Sequence, residues 1–427
     1  MERFEDQPLG PRPHIAVFSA DKPGNFVVTT PLLRGLHEKY PDCVVDFFGG
    51  DITRDFEEAC PYIAARFSLY GAHADFLGQL AAFLAARRAA AGPYDLAINC
   101  DEFAALNLVV VTAVGPRYIT GGALSEDFRH KLPPRDDPYG RLLADDAWWS
   151  ADFVARHAGA VSSNYIGEIF CRIARVETDY YRTEVPQTPP PFPVPDVLCT
   201  VTATRSAKQW PVAHWAEVAR WCDKRGLSVG LLGQRPEIER RLYNAGDAED
   251  WLVANAPVRD LRGRTTLTEL AGAFAACRAA VCVDTGPLHI AVAVGCQTVA
   301  VFGVDADGDG ASPRRLWLPP VPHVHVAETP TKCLVCIEHR YRNAACLVPG
   351  HPCMTDLKPA IVIAALERAL AGSPSPPGPP PLPGLGEGSG GEGEHRRRRG
   401  MPPAVHALRA RRPGSWRRGN SRPRPEL

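Results

Sequence analysis

The chain has 427 residues with 48 basic and 48 acidic side chains, 45% hydrophobic content and 13 cysteines, too long for one ordinary domain and suited to two domains plus extensions. The zero net charge is unevenly spread: from Ser373 onward there are 11 Arg, 4 Glu and no Lys, leaving 37 basic and 44 acidic residues before it, a mildly acidic body that argues against a specific nucleic-acid partner. No run of 18 apolar residues and no charged-then-apolar leader occurs, so neither a spanning helix nor secretion is expected, and the odd number of cysteines fits reduced thiols in a cytoplasm.

Residues 1–13 read as an unstructured lead-in. A strand over 14–20 then runs into Asp21-Lys22-Pro23-Gly24-Asn25 and a helix over about 26–40, with Asn25 suited to its N-cap. Strands over 43–48 and 94–100 flank a helix over 76–91, and the second strand ends at Asp101-Glu102. This alternation predicts a parallel sheet covered on both faces. Ligands of such sheets sit at the carboxyl ends of the strands, which singles out the 21–25 loop and the Asp101-Glu102 corner. A charged, helix-poor region over 118–138 reads as loops bordering a cleft. Helices over 146–158 and 164–176 complete a first domain, 14–184, and a Pro-rich linker, 185–195, follows.

The second domain, 196–371, opens with a strand over 197–203, the loop Thr204-Arg205-Ser206-Ala207-Lys208-Gln209-Trp210-Pro211 and a helix over 213–225. Basic residues in a loop after a strand suit a diphosphate. A strand over 228–232 leads into the turn Gly233-Gln234-Arg235-Pro236-Glu237. A helix over 268–276 then introduces the stretch around which the chain is organised, CRAAVCVDTGPLHIAVAVGCQTVAVFG from Cys277 to Gly303. Two apolar runs, 279–283 and 298–302, bracket a buried helix, one β-α-β unit. Between strand and helix lies Asp284-Thr285-Gly286-Pro287-Leu288-His289, where Gly permits close backbone approach and Pro suits the first helical turn. The partial positive charge of a helix N-terminus attracts phosphate, and Asp284 beside it would accept from a hydroxylated group. A nucleotide-sugar satisfies both; the alternative is an ordinary turn with a packed Thr and a capping Asp.

Two patterns look metal-like. Asp305-Ala306-Asp307-Gly308-Asp309-Gly310 begins as a calcium loop does, but the twelfth position is Leu316, so it reads as a solvated cleft-side loop. Cys333, Cys336, Cys346 and Cys353 form one CxxC pair and two single thiols, a set suited to tetrahedral Zn or Fe, with His339 and His351 as spare ligands; the alternative is a Cys-rich loop without metal. A helix over 357–371 closes the folded chain. Residues 372–427, rich in Pro, Gly and Arg, read as a disordered tail whose Arg runs suit contact with nucleic acid or anionic lipid, or no function.

The segment Asp284-Thr285-Gly286-x-x-His289, continued by an apolar helix and Gly295-Cys296-Gln297-Thr298-Val299-Ala300-Val301-Phe302-Gly303, resembles the hallmark of glycosyltransferase family 9, which includes the bacterial lipopolysaccharide heptosyltransferases. Gly24-Asn25, the triplet Phe26-Val27-Val28 and Thr29-Thr30-Pro31 resemble that family's N-terminal signature. Thr204-Arg205-x-x-Lys208-x-Trp210-Pro211 resembles its donor-phosphate loop. The resemblance covers about residues 14–371. It implies an α/β GT-B fold, two Rossmann-like domains facing across a cleft, with a last helix that often crosses back to the first domain. It implies donor contacts at Gly24, Thr204, Lys208, Glu237 (to ribose), Asp284, Thr285, Gly286 and His289. The implied activity is inverting transfer of a heptose-like sugar from an ADP-heptose-like donor to a glycan or lipopolysaccharide-core hydroxyl, in a bacterial cytoplasm, without a cofactor for the transfer. Peripheral contact with the inner membrane is compatible with such an acceptor.

The sequence departs from the family at one place. Asn25 stands where the family has the Asp taken as general base, and an amide cannot accept the acceptor's proton; Asp21, Asp101 and Glu102 are the substitutes within reach of the strand ends. Three other readings therefore stay open: a protein heptosyltransferase, a subgroup associated with iron at a Cys cluster; a GT-B sugar-nucleotide epimerase; and a catalytically weak sugar-nucleotide-binding relative. The expected partners are a nucleotide-sugar donor and a glycan, lipid-linked or protein acceptor.

Overall fold

Apolar stretches such as HIAVF and AAVCV, buried at every position, have no polar face to turn to water, which is the pattern of parallel strands covered on both sides. In the computed structural model, which describes residues 1–101, 104–243 and 247–372, such strands build two sheets. The first holds β1 (Glu2–Arg3), β2 (His14–Phe18), β3 (Val44–Gly49), β4 (Ala65–Ser68), β5 (Leu96–Asn99) and β6 (Tyr118–Gly121) in the order β1-β6-β5-β2-β3-β4. The second holds β7 (Val197–Thr200), β8 (Val229–Leu231), β9 (Arg259–Asp260), β10 (Ala279–Val283), β11 (Thr298–Val304) and β12 (Val324–Glu328) in the order β12-β11-β10-β7-β8-β9. All ladder pairings are parallel, with Ile15 opposite Leu96 in the first sheet and Val281 opposite Cys199 in the second. Among the described residues no helix is long and apolar enough to cross a membrane.

Five expectations are corrected. The region over 118–138 is not loop throughout: it opens with the buried strand β6, which pairs with β1 and β5. The lead-in is ordered: β1 pairs with β6, and Phe4 and Leu9 are buried against the first sheet. The helix over 26–40 begins earlier, at Pro23–Lys39, so Lys22 is the N-cap and Asn25 is the third helical residue. The helix over 146–158 shrinks to Phe153–Arg156, because Asp145 accepts from the Ala147 N–H and Asn164 donates to the Trp148 and Ser150 carbonyls; side chains that satisfy the backbone locally compete with helix. The last described helix, Pro359–Gly372, stays on the second lobe, packed on β10, β11 and β12. The tail beyond Gly372 lies outside the described residues.

The linker follows from two anchors. Arg34, buried in the Pro23–Lys39 helix, donates to the carbonyls of Arg182 (2.7 Å) and Asp179 (2.6 Å), and Thr30 Oγ1 accepts from the Glu184 N–H at 3.1 Å. Thr188 N–H then donates to Thr268 O at 3.0 Å in the second lobe. The Pro-rich segment thus leaves one lobe tied down and arrives at the other tied down.

Candidate functional site

In both sheets the chain order reverses at one place, between β2 and β5 in the first and between β7 and β10 in the second. The crevice outside the carboxyl ends at such a switch point is where doubly wound sheets bind ligands. At the second switch point the loop after β7 and the turn after β10 are neighbours, which is why Lys208 and Asp284, 76 residues apart, meet: Nζ lies 2.7 Å from Oδ2 and 3.4 Å from the Asp284 carbonyl oxygen. The ammonium is the ion-pair partner of Oδ2.

Asp284 is 4% exposed. Burial pushes its carboxyl up, but Lys208, His289 and Ser312 outweigh burial and the net shift is downward. His289 Nε2 stands 3.9 Å from Asp284 Oδ1, and the ring meets Trp317 edge-on at 6.1 Å. Burial lowers His289 to about 4, with Asp284 pulling up and Lys208 pushing down. The imidazole is therefore neutral at pH 7, able to donate or accept beside a fixed negative charge.

Thr285 caps the Gly286–Ala293 helix in extended conformation without a side-chain hydrogen bond, which leaves first-turn N–H groups for another partner. The Pro23–Lys39 helix also lacks a side-chain cap. The two helix starts touch. A Cβ on Gly286 would lie 3.1 Å from Pro23 Cβ, and one on Gly24 would fall 2.8 Å from His289 Cδ2. Glycine at both positions lets two positive helix ends from opposite lobes converge.

On the first lobe, Asp21 lies against Gly50, where an added Cβ would come within 2.2 Å of Asp21 Cβ. The Asp101 N–H donates to Asn99 Oδ1 at 3.0 Å. Tyr70, whose hydroxyl donates to Asn107 Oδ1 at 2.6 Å, is pushed up to about 12 by burial and by Asp101 and Asp21. Two of the three sequence-derived base candidates thus act electrostatically on one phenol, and Glu102 lies outside the described residues. Asn25 is half-buried, its backbone oxygen accepting from Thr29 Oγ1 at 2.8 Å.

The donor-side residues divide. Gly24, Lys208, Asp284, Thr285, Gly286 and His289 come together, whereas Thr204 and Glu237 are exposed on the rim. Beneath Glu237 lie two carboxylates that the sequence did not single out. Glu239 is 3% exposed; its Oε1 accepts from the Gln234 N–H at 2.7 Å while Oε2 has no partner. Burial raises it to about 7, helped by Glu249 and opposed by the Gln234 N–H and Arg262. Glu249 accepts from the Thr202 hydroxyl and, at 3.3 Å, from Arg262 Nη1. Nothing in the spacing of Glu237 and Glu239 tells which faces inward until the packing of the Pro236–Tyr243 helix is known. Ser312 and Trp317 were missed for a similar reason, since they reach Asp284 and His289 only through the fold.

The acidic loop is only half solvated, which corrects its reading as a solvated loop: Asp305 is buried, and Asp307 and Asp309 pair with Lys332 (2.8 Å) and Arg315 (3.1 Å). These carboxylates lie within 4.8 Å of one another, but the two cations already offset them. The four cysteines gather around Cys353, whose thiol is pushed up to about 12 by burial and by Cys333, Cys346 and Cys336. Among the described residues no three of the four sulfurs lie within 4.8 Å of one another. The donor set suits a soft tetrahedral ion, and the loop has to tighten to hold one.

Two doubly wound lobes meet at their switch points, with a cationic side chain and two helix starts without side-chain caps between them, on a GT-B architecture. Residues 172–334 match the model of glycosyltransferase family 9 (heptosyltransferase). Lipooligosaccharide heptosyltransferase 2 of Campylobacter jejuni subsp. jejuni serotype O:6 is 28% identical over 172 residues, a match spanning 38% of this chain and 47% of that protein, less than half its length. A glycosyl transferase family 9 structure from Veillonella parvula superposes with a TM-score of 0.61 at 16% identity, covering 84% of this chain and 98% of that one. The E. coli ADP-heptose lps heptosyltransferase II gives 0.54 at 18% identity over 84% and 98%. The iron-containing dodecameric glycosyltransferase TibC of enterotoxigenic E. coli gives 0.52 at 12% identity over 85% and 80%. At these identities the structural likenesses show the GT-B fold alone.

Proposed function

We propose that the chain transfers a heptose-like sugar from an ADP-heptose-type donor to a hydroxyl acceptor with inversion at the anomeric carbon. The observation that carries the reading is the convergence of Lys208, Asp284 and two uncapped helix starts at one switch point. In this reading the diphosphate lies on the Thr285 and Gly286 N–H groups and Lys208, and the sugar hydroxyls meet Asp284 and neutral His289. Gly24 leaves the room, Thr204 and Glu237 line the rim, and the partnerless Glu239 Oε2 faces the ribose. The acceptor hydroxyl passes its proton to Asp101 or Asp21, its oxygen bonds to the anomeric carbon, and the bond to the diphosphate oxygen breaks with the electron pair leaving on phosphate. Lys208 and the helix N–H groups stabilise that charge, so the transfer requires no cofactor. The reading includes a bacterial, cytoplasmic setting, supported by 13 cysteines that are all unpaired, and a glycan, lipopolysaccharide-core or protein acceptor.

The four cysteines are assigned to a structural Zn or Fe that cross-links the 333–353 loop; the thiol set supports this. A second reading, a weak or non-catalytic sugar-nucleotide binder, is favoured by Asn25 at the base position.

Calorimetric titration with ADP and with adenosine tests the donor site. A hydrogen bond to a charged group contributes about 1.5–3 kcal/mol, so Lys208→Ala is expected to weaken ADP by roughly 10- to 150-fold and leave adenosine within a factor of two. Equal loss for both ligands would show that Lys208 does not contact phosphate.

A further inference from the structure

The loop that carries Lys208 is hydrogen-bonded to the cysteine segment at several points. Arg205 Nε donates to the Asn343 carbonyl at 2.8 Å, and Nη2 to Asn343 Oδ1 at 2.9 Å. Its Nη1 reaches the Ala311 carbonyl at 3.2 Å, next to the Ser312 that adjoins Asp284. The Ala207 N–H and Ser206 hydroxyl both donate to the Ala344 carbonyl, at 3.4 and 3.3 Å. His351 Nε2 bonds the Ala207 carbonyl at 2.9 Å, and Trp210 Nε1 donates to Leu357 O at 2.8 Å. Every residue from Arg205 to Ala207, and Trp210 beyond, is thus held by residues between 311 and 357.

The holding segment is itself tightly specified. Asn343 Nδ2 donates to Cys336 Sγ at 3.3 Å, and Arg205 Nη2 approaches the same sulfur at 3.7 Å. Arg340, Tyr341 and His351 adopt left-handed backbone with φ of 53°, 57° and 51°, a conformation that side chains with a Cβ adopt only when the surroundings impose it. At its far end Tyr341 packs edge-on against Trp149 of the first lobe at 5.6 Å, and Arg340 Nη2 donates to the Asp146 carbonyl at 3.1 Å.

We propose that Arg205 is a positioning residue for Lys208: through Asn343 and the cysteine segment it fixes the 205–208 turn so that the ammonium stands ready for the donor's diphosphate. The inference rests on the nucleotide-donor reading for its ligand, and on the loop geometry for its mechanism. Arg205 faces Asn343, Ala311 and Cys336, and acts on the donor only by where it leaves Lys208. The segment therefore couples whatever happens at its thiols to the phosphate contact.

The experiment is a double-mutant cycle on the full chain with Arg205→Ala, Lys208→Ala and both, read by ADP and adenosine affinity and by amide hydrogen exchange over residues 205–210. Arg205→Ala is expected to weaken ADP about 10-fold, leave adenosine within twofold, speed exchange across 205–210, and add less than twofold in the Lys208→Ala background, since coupled residues are non-additive. Unchanged ADP affinity, equal loss for ADP and adenosine, or losses that multiply in the double variant would each overturn it. If Arg205→Ala does not fold, Asn343→Ala, which keeps the guanidinium and removes the Oδ1 that holds Nη2 while leaving the backbone carbonyl on Nε, is expected to act in the same directions with a smaller loss of ADP affinity. If the wild-type chain binds neither ligand, the donor reading fails, and unchanged exchange over 205–210 in the variant would separately sink the clamp.

Discussion

Removing the imidazole of His289 should change how the fold responds to acid, in a direction set by two opposed buried groups. His289 titrates near 4 in the fold against 6.5 for an unburied imidazole. Between those values the unfolded chain binds a proton that the folded chain refuses, so its contribution is full above about 6.5 and is lost as pH falls toward 4. At pH 5 the loss amounts to about 2 kcal/mol, from 1.36 kcal/mol per pH unit over roughly one and a half units. Glu239 works the other way. Raised from 4.5 to about 7, it is protonated in the fold where the unfolded chain is ionised, so its contribution is full below about 4.5 and is lost as pH rises through 7; between pH 7 and 5 it gains about 2 kcal/mol. The wild-type chain is expected to show little net change from this pair, which conceals both. His289→Gln should then gain about 2 kcal/mol relative to wild type on going from pH 7 to pH 5, and Glu239→Gln should lose a similar amount. Urea unfolding at the two pH values, read as differences between variant and wild type, measures this. Parallel pH dependences for wild type and His289→Gln would refute the buried neutral imidazole.

Two further outcomes follow from the thiols and the base. Freshly purified, unchelated protein should carry stoichiometric Zn or Fe by elemental analysis, lost when Cys333 and Cys336 are both changed to Ser; metal-free wild-type protein would remove the assignment. Asn25→Asp should raise transfer activity, by up to the roughly 100- to 10,000-fold typical of general-base catalysis and by less if Asp101 or Asp21 already serves, in which case Asp101→Asn or Asp21→Asn lowers the native rate comparably. Zero activity in Asn25→Asp with every donor that binds would leave the non-catalytic reading in place.

The sheets were legible because parallel strands announce themselves as apolar runs bounded by turns, and β2, β3, β5, β7, β8, β10 and β11 all do so. β1, β4, β6, β9 and β12 escaped notice: β6 fell in the stretch over 118–138 read as loops, and the other four are short or partly exposed edge strands whose composition is not distinctive. The cluster of Asp284, Thr285, Gly286, His289 and Lys208 was legible because the first four lie within six residues, and because a loop after a strand carries Lys208. Glu239 was not, since a two-residue shift along a polar helix changes the buried face without changing the pattern. The role of Arg205 was also hidden. In sequence it looks like a second phosphate ligand, and only the position of Asn343, 138 residues away, shows that its guanidinium is already engaged.

What the sequence could not convey at all is that Gly24 and Gly286 face each other. Each helix start carries roughly half a positive charge, and Lys208, whose Nζ stands 3.4 Å from the Asp284 carbonyl oxygen, adds a full one beside the second, so the junction between the lobes is a place where positive charge converges. Asp284 offsets the ammonium alone, with its carboxyl held below its ordinary range, and leaves the two helix starts uncompensated. A dianionic diphosphate seated there would neutralise charge from both lobes at once and so favour their contact, whereas a nucleoside would do neither. In the proposed reading, electrostatics therefore ties donor recognition to lobe juxtaposition through the same few atoms. Gly24, which in the family signature accompanies the base, is the point where the first lobe meets His289 of the second.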